Sequence, residues 1–305
     1  MRVFLARSLL CATALLAAGP CRAALAPGEP DLAYGAYQRG YYRTAFQEAM
    51  KRVKADPHDA PAMTLVAELF EQGVGAPQNL DEAMHWYKLA AEQGDKNAEY
   101  SLGNAYFTGK GEKKDVATAV AWFEKAASQD HAGAWFNLGV VALEGNGVVS
   151  DFAKAAQDFR RAADLGFPDA AYALALLYRE GKGVQKDPVQ ATEWMKRAAQ
   201  DRFLAAEVEY GIALFNGDGV PADEAGAAKW LLRAANRGNP VAENRIARLY
   251  FTGRGVKQDR VEGAKWAILA ASAGLRDPWL DGEAEKLTPD ERKKAEQAIR
   301  SFLSK

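Results

Sequence analysis

Along most of the chain, apolar residues recur at three- and four-residue steps, the spacing that aligns side chains on one face of an α-helix. In the stretch 95–130, Ala98, Leu102 and Tyr106 fall four apart. After a polar break, Ala119, Trp122, Phe123, Ala126 and Ala127 form a second stripe. This pattern predicts two helices joined by a loop. The break contains Gly109-Lys110-Gly111, and glycine tolerates the left-handed backbone that ends a helix. Asp115 stands just before the second stripe, where a short acid can accept the free N–H groups of a helix start.

The same unit recurs along the chain. Gly-x-Gly triplets stand 36 residues apart at Gly73/Gly75, Gly109/Gly111, Gly145/Gly147, Gly181/Gly183, Gly217/Gly219 and Gly253/Gly255. Tryptophan recurs at Trp86, Trp122, Trp194, Trp230 and Trp266, and Ala-Ala pairs keep the same period. The cap slot is filled by Asn79, Asp115, Asp151, Asp187, Asp223 and Asp259. Self-similarity at this period marks stacked supersecondary units, each needing its neighbours to bury its apolar face. One first-helix slot holds only small residues: Ala67, Gly103, Gly139, Ala175, Gly211 and Ala247. We expect the second-helix tryptophan to pack opposite it, large against small. In the third repeat Asp158 replaces the tryptophan, and that repeat alone carries Trp135 on its first helix. Trp135, helped by Phe159, is expected to fill the vacated volume while Asp158 points to solvent.

The quoted marks, A-x-x-x-L-G-x-x-Y-x-x-G-x-G followed by D-x-x-x-A-x-x-W-x-x-x-A-A, resemble the Sel1-like repeat, a relative of the tetratricopeptide repeat. The resemblance covers residues 59–274. It implies an all-α fold, an α/α superhelical solenoid of antiparallel helix pairs that serves as a protein-binding scaffold, with first helices lining a concave face. The repeats are expected at 59–94, 95–130, 131–166, 167–202, 203–238 and 239–274. A degenerate repeat should cap the array over 24–58. Capping helices should close it over 275–305, where Thr288 to Glu291 reads as a capping box.

Residues 1–23 are of a different kind. Arg2 and Arg7 precede an apolar stretch from Ser8 to Ala18, and Cys21-Arg22-Ala23 offers a cleavage site. This predicts a signal peptide and export, with the periplasm as the expected compartment and secretion as the alternative. Pro20 before Cys21 argues against a lipoprotein site. Both cysteines lie in this leader, so the mature chain would hold no thiol. Loss of Arg2, Arg7 and Arg22 takes the formal charge from −1 to −4, which gives no reason to expect a nucleic-acid partner. No later stretch is apolar for long enough to enter a membrane. Hydrophobic content of 49% and charged content of 26% suit a folded chain.

Signs of chemistry are weak. The Gly-x-Gly loops follow helices rather than strands and lack a following Lys-Ser/Thr, so they read as turns and not phosphate cradles. His58, His85 and His131 share no ligand spacing. No cofactor, metal or catalytic group is expected. The aromatics Tyr100, Phe136 and Tyr172 recur one repeat apart and are expected to pack between repeats, with a groove lining as the alternative.

The stripe opposite the buried face of each first helix is where a partner would sit. It carries Leu65 and Glu68 in the first repeat, and Asn104 in the second. It continues with Asn137 and Val140, then Ala173 and Leu176, then Glu209 and Ile212, and finally Arg245 and Arg248. Apolar residues at Val140, Leu176 and Ile212 suggest a patch that contacts a partner, with burial by curvature as the alternative. Arg245 and Arg248 lie three apart and are expected to catch a partner's carboxylate. The leading function is therefore an exported adaptor in the bacterial envelope that binds a protein or peptide. The other function class is a secreted hydrolase like cysteine-rich members of the resembling family, which the cysteine-free mature chain disfavours. Sequencing the N-terminus of exported protein should give Ala24 as the first residue; recovery of Met1 would refute the leader.

Overall fold

The computed structural model describes residues 31–145 and 149–304, so the expected leader and its cleavage site lie outside the described residues, as does Gly147. Sixteen α-helices and no strand occur among the described residues. The chain divides into two compact units, Met1–Leu165 and Gly166–Lys305. In the first unit the helices are α1 (Leu32–Gln38), α2 (Tyr42–Ala55), α3 (Ala60–Gln72), α4 (Leu80–Glu92), α5 (Lys96–Thr108), α6 (Val116–Ser128), α7 (Ala132–Glu144) and α8 (Phe152–Asp164). The second unit holds α9 (Pro168–Glu180), α10 (Pro188–Gln200), α11 (Leu204–Asn216), α12 (Glu224–Ala235), α13 (Pro240–Thr252), α14 (Arg260–Ser272), α15 (Pro278–Glu285) and α16 (Pro289–Leu303). Within each unit consecutive helices pack as pairs, and each pair packs on the next.

The punctuation read from the sequence is present. Gly109 closes α5 in the left-handed conformation at φ 81°, and its N–H donates to the Ala105 carbonyl. Asp115 accepts the N–H groups of Ala117 and Thr118 at the start of α6. Thr288 and Glu291 form the capping box of α16. The second glycine of the loop has a separate role. At Gly255, φ 67°, a Cβ would collide with the Glu224 carbonyl in the first turn of α12, and at Gly219 with that of Pro188 in α10. These loops thus lie backbone against backbone on the second helix of the preceding repeat, as Gly75 does on Tyr42, whereas Gly111 meets the Met84 side chain.

The large-against-small seam exists, but the large partner is not the tryptophan. A Cβ on Gly103 would sit 2.5 Å from the Phe123 ring, and one on Gly139 2.6 Å from Phe159. At Gly211 the facing side chain is Leu231, at 3.0 Å. The residue after the tryptophan therefore fills the seam within a helix pair. The tryptophan lies about 100° further round the helix, and Trp122 packs half-buried against the cluster joining the first and second repeats. A cation covers its other face: Lys125 lies 3.9 Å from the Trp122 centroid, Arg197 5.2 Å from Trp194 and Arg233 5.1 Å from Trp230.

The third repeat also differs from expectation. Asp158 does not reach solvent; it is 4% exposed, with Lys154 Nζ at 3.6 Å and one carboxylate oxygen lacking a hydrogen bond. Burial raises its pKa, against the opposing pull of Lys154. An α8 position that faces the interior keeps doing so whatever residue occupies it. Trp135 does join a core, packing beside Ala119, Phe123, Ala134 and Leu138, and Phe159 is fully buried.

Replacing a helical glycine by alanine ordinarily gains about 1 kcal/mol. Gly103→Ala should instead cost about 1–3 kcal/mol in urea unfolding, because the new methyl overlaps the Phe123 ring. Gly282 in α15 has open space around it, so Gly282→Ala should be neutral or stabilising. Equal effects at the two sites would show that Phe123 yields freely.

Candidate functional site

The stripe residues lie on the first helices α3, α5 and α7 of one unit, and α9, α11 and α13 of the other. In the first unit the side-chain amide of Asn137 donates to Asn104 Oδ1 at 2.8 Å. That bond leaves the Asn104 amide hydrogens and the Asn137 carbonyl oxygen available, a donor and an acceptor side by side. Val140 is half-buried next to them. Glu68 is half-buried in α3 with no hydrogen-bond or ion-pair partner among the described residues. Burial, reinforced by Glu71 and Asp95, pushes its pKa up to about 7. Glu71 itself is occupied, accepting from the Tyr87 hydroxyl and from Lys110 Nζ, each at 2.8 Å.

The apolar members of the stripe do not form the exposed patch expected. Leu65 is 6% exposed, and Leu176 8% with Ala173 also buried. Ile212 packs partly against the core of the last two repeats. Residues one turn apart on a first helix are covered from the flank as repeats stack side by side, so only the outermost line of the stripe stays accessible. Leu176→Asp would accordingly bury a charge rather than decorate a surface.

The two arginines also part company. Arg248 forms a fork with Asp277, Nε to Oδ2 at 2.9 Å and Nη2 to Oδ1 at 2.8 Å, and lies 4.9 Å from the centroid of Trp279. Burial would raise the pKa of Asp277, but the bonds from Arg248 and Asn244 outweigh it and hold the carboxyl below its usual range. Arg248 is thus committed to an internal acid lying beyond the last repeat. Arg245 is exposed and has no such partner among the described residues. Glu209 pairs with Arg179 at 2.8 Å.

Each of the aromatics recurring one repeat apart meets a ring from another element. Tyr100 stacks on His131 at 4.3 Å, Phe136 meets Phe159 at 5.5 Å, and Tyr172 meets Phe203 at 5.0 Å. His131 caps α7, its Nδ1 accepting from the Ala134 N–H at 3.1 Å. Burial, with Lys96 nearby, lowers its pKa to about 4, so the ring stays neutral. Among the described residues no group of three or more His, Cys, Asp or Glu converges as a metal site would require. No helix there is long and apolar enough to cross a membrane.

One set of residues was missed in the sequence. Glu99, Glu207 and Glu243 occupy the same slot of the second, fifth and sixth repeats and are all buried. Glu99 accepts from Gln129 Nε2 at 2.8 Å, and Glu207 is paired with Arg233 and Arg237 at 2.8 and 2.9 Å. A signal existed: a polar or basic residue follows the glutamate by 26 and by 30 positions, as Lys125 and Gln129 or as Arg233 and Arg237.

The Sel1 repeat model matches residues 60–95, 96–131, 134–167, 168–201, 204–239 and 240–275, most of the chain. This chain is a Sel1-repeat protein. A Sel1 repeat protein from Oxalobacter formigenes is 31% identical over 79% of this chain and 98% of its own, with a TM-score of 0.70. A protective antigen present in uropathogenic Escherichia coli strains, with the same repeat fold, is 32% identical over 84% of this chain, with a TM-score of 0.72. This chain spans only 57% of that antigen. No curated protein sequence matches significantly. Sel1 repeats generally form non-catalytic scaffolds for protein–protein interaction.

Glu68 gives a test of the stripe's electrostatics. Its folded pKa lies above the ordinary 4.5, so the folded state holds the proton more tightly than the unfolded one. Its contribution to stability is full below about pH 4.5 and is lost as pH rises to about 7. The thermal midpoints of the wild type and Glu68→Gln should therefore coincide at low pH, with the variant the more stable above pH 7. Parallel curves across that range would place Glu68 in open solvent.

Proposed function

We propose that this chain is an exported adaptor of the bacterial envelope that holds a protein partner along the exposed line of its first helices. The observation that carries this reading is the unused hydrogen-bonding capacity of the Asn104–Asn137 pair, flanked by the half-buried Val140. A carboxamide that offers a donor and an acceptor together matches the peptide backbone, which presents both. Glu68 lies on the same side of the first unit and would gain a counter-ion from a basic partner residue. In the second unit Arg245 would serve an acidic one. Export rests on the positive, apolar and small-residue pattern of residues 1–23, and the periplasm is the compartment this pattern favours. The family's general role as a scaffold agrees with binding as the activity.

The test is cross-linking and affinity capture from envelope extracts, followed by titration of the captured partner. Asn104→Leu with Asn137→Leu should weaken binding at least tenfold, about 1.4 kcal/mol, without lowering the thermal midpoint. Arg245→Glu should weaken it in proportion to the partner's acidity and more strongly at low salt. Full affinity in folded variants of both kinds would overturn the first-helix line as the interface.

A further inference from the structure

The glutamate slot of the repeats shows how this fold satisfies a buried carboxylate, and the sixth repeat leaves that arrangement incomplete. In the fifth repeat, Glu207 on α11 is enclosed and paired with Arg233 Nε at 2.8 Å and Arg237 Nη1 at 2.9 Å. Arg237 Nη1 also donates to the Arg202 carbonyl at 2.8 Å, in the turn before α11. In the second repeat Gln129 does the same, joining Glu99 at 2.8 Å to the Gly94 carbonyl at 3.1 Å. A carboxylate and a turn carbonyl thus lie within reach of one nitrogen from the end of the second helix, by hydrogen bonds in the second repeat and by an ion pair and a hydrogen bond in the fifth. Lys125 adds its charge in the second repeat, where Arg233 stands in the fifth.

In the sixth repeat the acceptors remain and the donors are gone. Glu243 on α13 is 5% exposed. The matching turn residue, Gly238, has φ 75° against 64° for Arg202, so its carbonyl sits on a similar backbone. The two donor slots hold Leu269 and Ala273. Glu243 has no hydrogen-bond or ion-pair partner among the described residues, and burial alone raises its pKa. Unlike the oxygens of Glu207, those of Glu243 are not sealed from solvent. Ala273, where a donor would enter, is exposed and occupies no more than a methyl group's space.

A buried carboxyl without a partner is costly, and the repeats that lack the acid tolerate its loss: the slot holds Met63, Trp135 and Ala171 there, although Gln93, Arg161 and Arg197 stand at donor positions. We propose that Glu243, with the Gly238 carbonyl, forms a socket for an arginine side chain presented by a protein partner. A guanidinium is the group that fits, because Arg237 already occupies the equivalent place in the fifth repeat, its Nη1 lying within reach of both the carboxylate and the turn carbonyl, and a guanidinium is more weakly hydrated than an ammonium and so more readily buried. A lysine ammonium would neutralise the charge but is more strongly hydrated and costs more to bury. The chemistry of the socket stands on the repeat comparison; that the side chain comes from a protein rests on the adaptor reading above.

The test uses the full chain with glycine amides labelled for NMR and N-acetylarginine N-methylamide as the probe. The wild type should show saturable shifts at Gly238 and Gly274, at least threefold tighter than with the lysine analogue and absent with the norleucine analogue. Glu243→Gln should lose at least fivefold in probe affinity. Ala273→Arg should fill the socket from within, raising the thermal midpoint and suppressing the probe shifts. No saturable shift in the wild type, or the same affinity in Glu243→Gln, would overturn the socket. A midpoint unchanged in Ala273→Arg would overturn its likeness to the Glu207 site. Partner binding through Asn104 and Asn137 is read in a different assay, so the adaptor reading and the socket can fail separately.

Discussion

The arrangement of the repeats depends on one backbone contact, the approach of a loop's second glycine, at Gly75, Gly219 and Gly255, to the second helix of the preceding repeat. No side chain fits between Gly219 and the Pro188 carbonyl, or between Gly255 and that of Glu224. Such a contact fixes distance more sharply than interdigitated side chains, which can change rotamer. It is backed by polar ties across the same junction. Thr192 donates to the Asp218 carbonyl at 2.7 Å, and Arg254 reaches Glu224 at 3.0 Å. The loop must therefore present its second glycine, and then a helix cap four residues on, at one register. That requirement explains a 36-residue period without insertions.

The middle residue of the triplet is free to vary because it serves the fold through its backbone: the N–H groups of Val74, Lys182, Asp218 and Arg254 each donate to a carbonyl of the preceding helix. Lys110 reaches back to Glu71 and Arg254 to Glu224, while Asp218 contributes its carbonyl. The basic side chains of these loops are thus partly engaged within the chain. Exposed pairs of this kind contribute little to stability, but they steer which loop side chains a partner could find unoccupied.

What could be read from the sequence was whatever the backbone dictates. The first glycines, the Asx caps and the capping box at Thr288 follow from local geometry, and each is where the pattern put it. Reading failed where two helices must be placed in space. Trp122 and Phe123 are adjacent in sequence, yet one meets the preceding repeat and the other meets Gly103. Periodicity names a face but does not say which neighbour covers each edge of it. The same limit hid the burial of Leu65 and Leu176. Arg248 was misread for a different reason: its partner Asp277 lies outside the repeats, where no period points to it. The buried glutamates were legible in principle, since Glu99 with Gln129 and Glu207 with Arg237 share one spacing, but a charged residue on a first helix reads by default as solvated.

These outcomes divide the residues of a repeat into two kinds. Positions that repeat faithfully are engaged in internal contacts: glycine with backbone, small residue with ring, acid with helix start. A partner must therefore be recognised at positions where repeats differ. Each accessible or unsatisfied group identified here is of that second kind. Asn104 and Asn137 have no amide counterpart in the second unit, where the corresponding slots hold Leu176, Ile212, Glu209 and Arg245, together with Arg248 and Ala173. Glu68 lacks the cation that Glu209 has in Arg179. Glu243 keeps the acid of Glu207 and Glu99 without their donors. In an array whose architecture tolerates loss of the acid itself, as at Met63 and Ala171, retaining an unpaired one is a departure that internal stability does not explain. Departures from the repeat, rather than the repeat, are where the chemistry of recognition must reside.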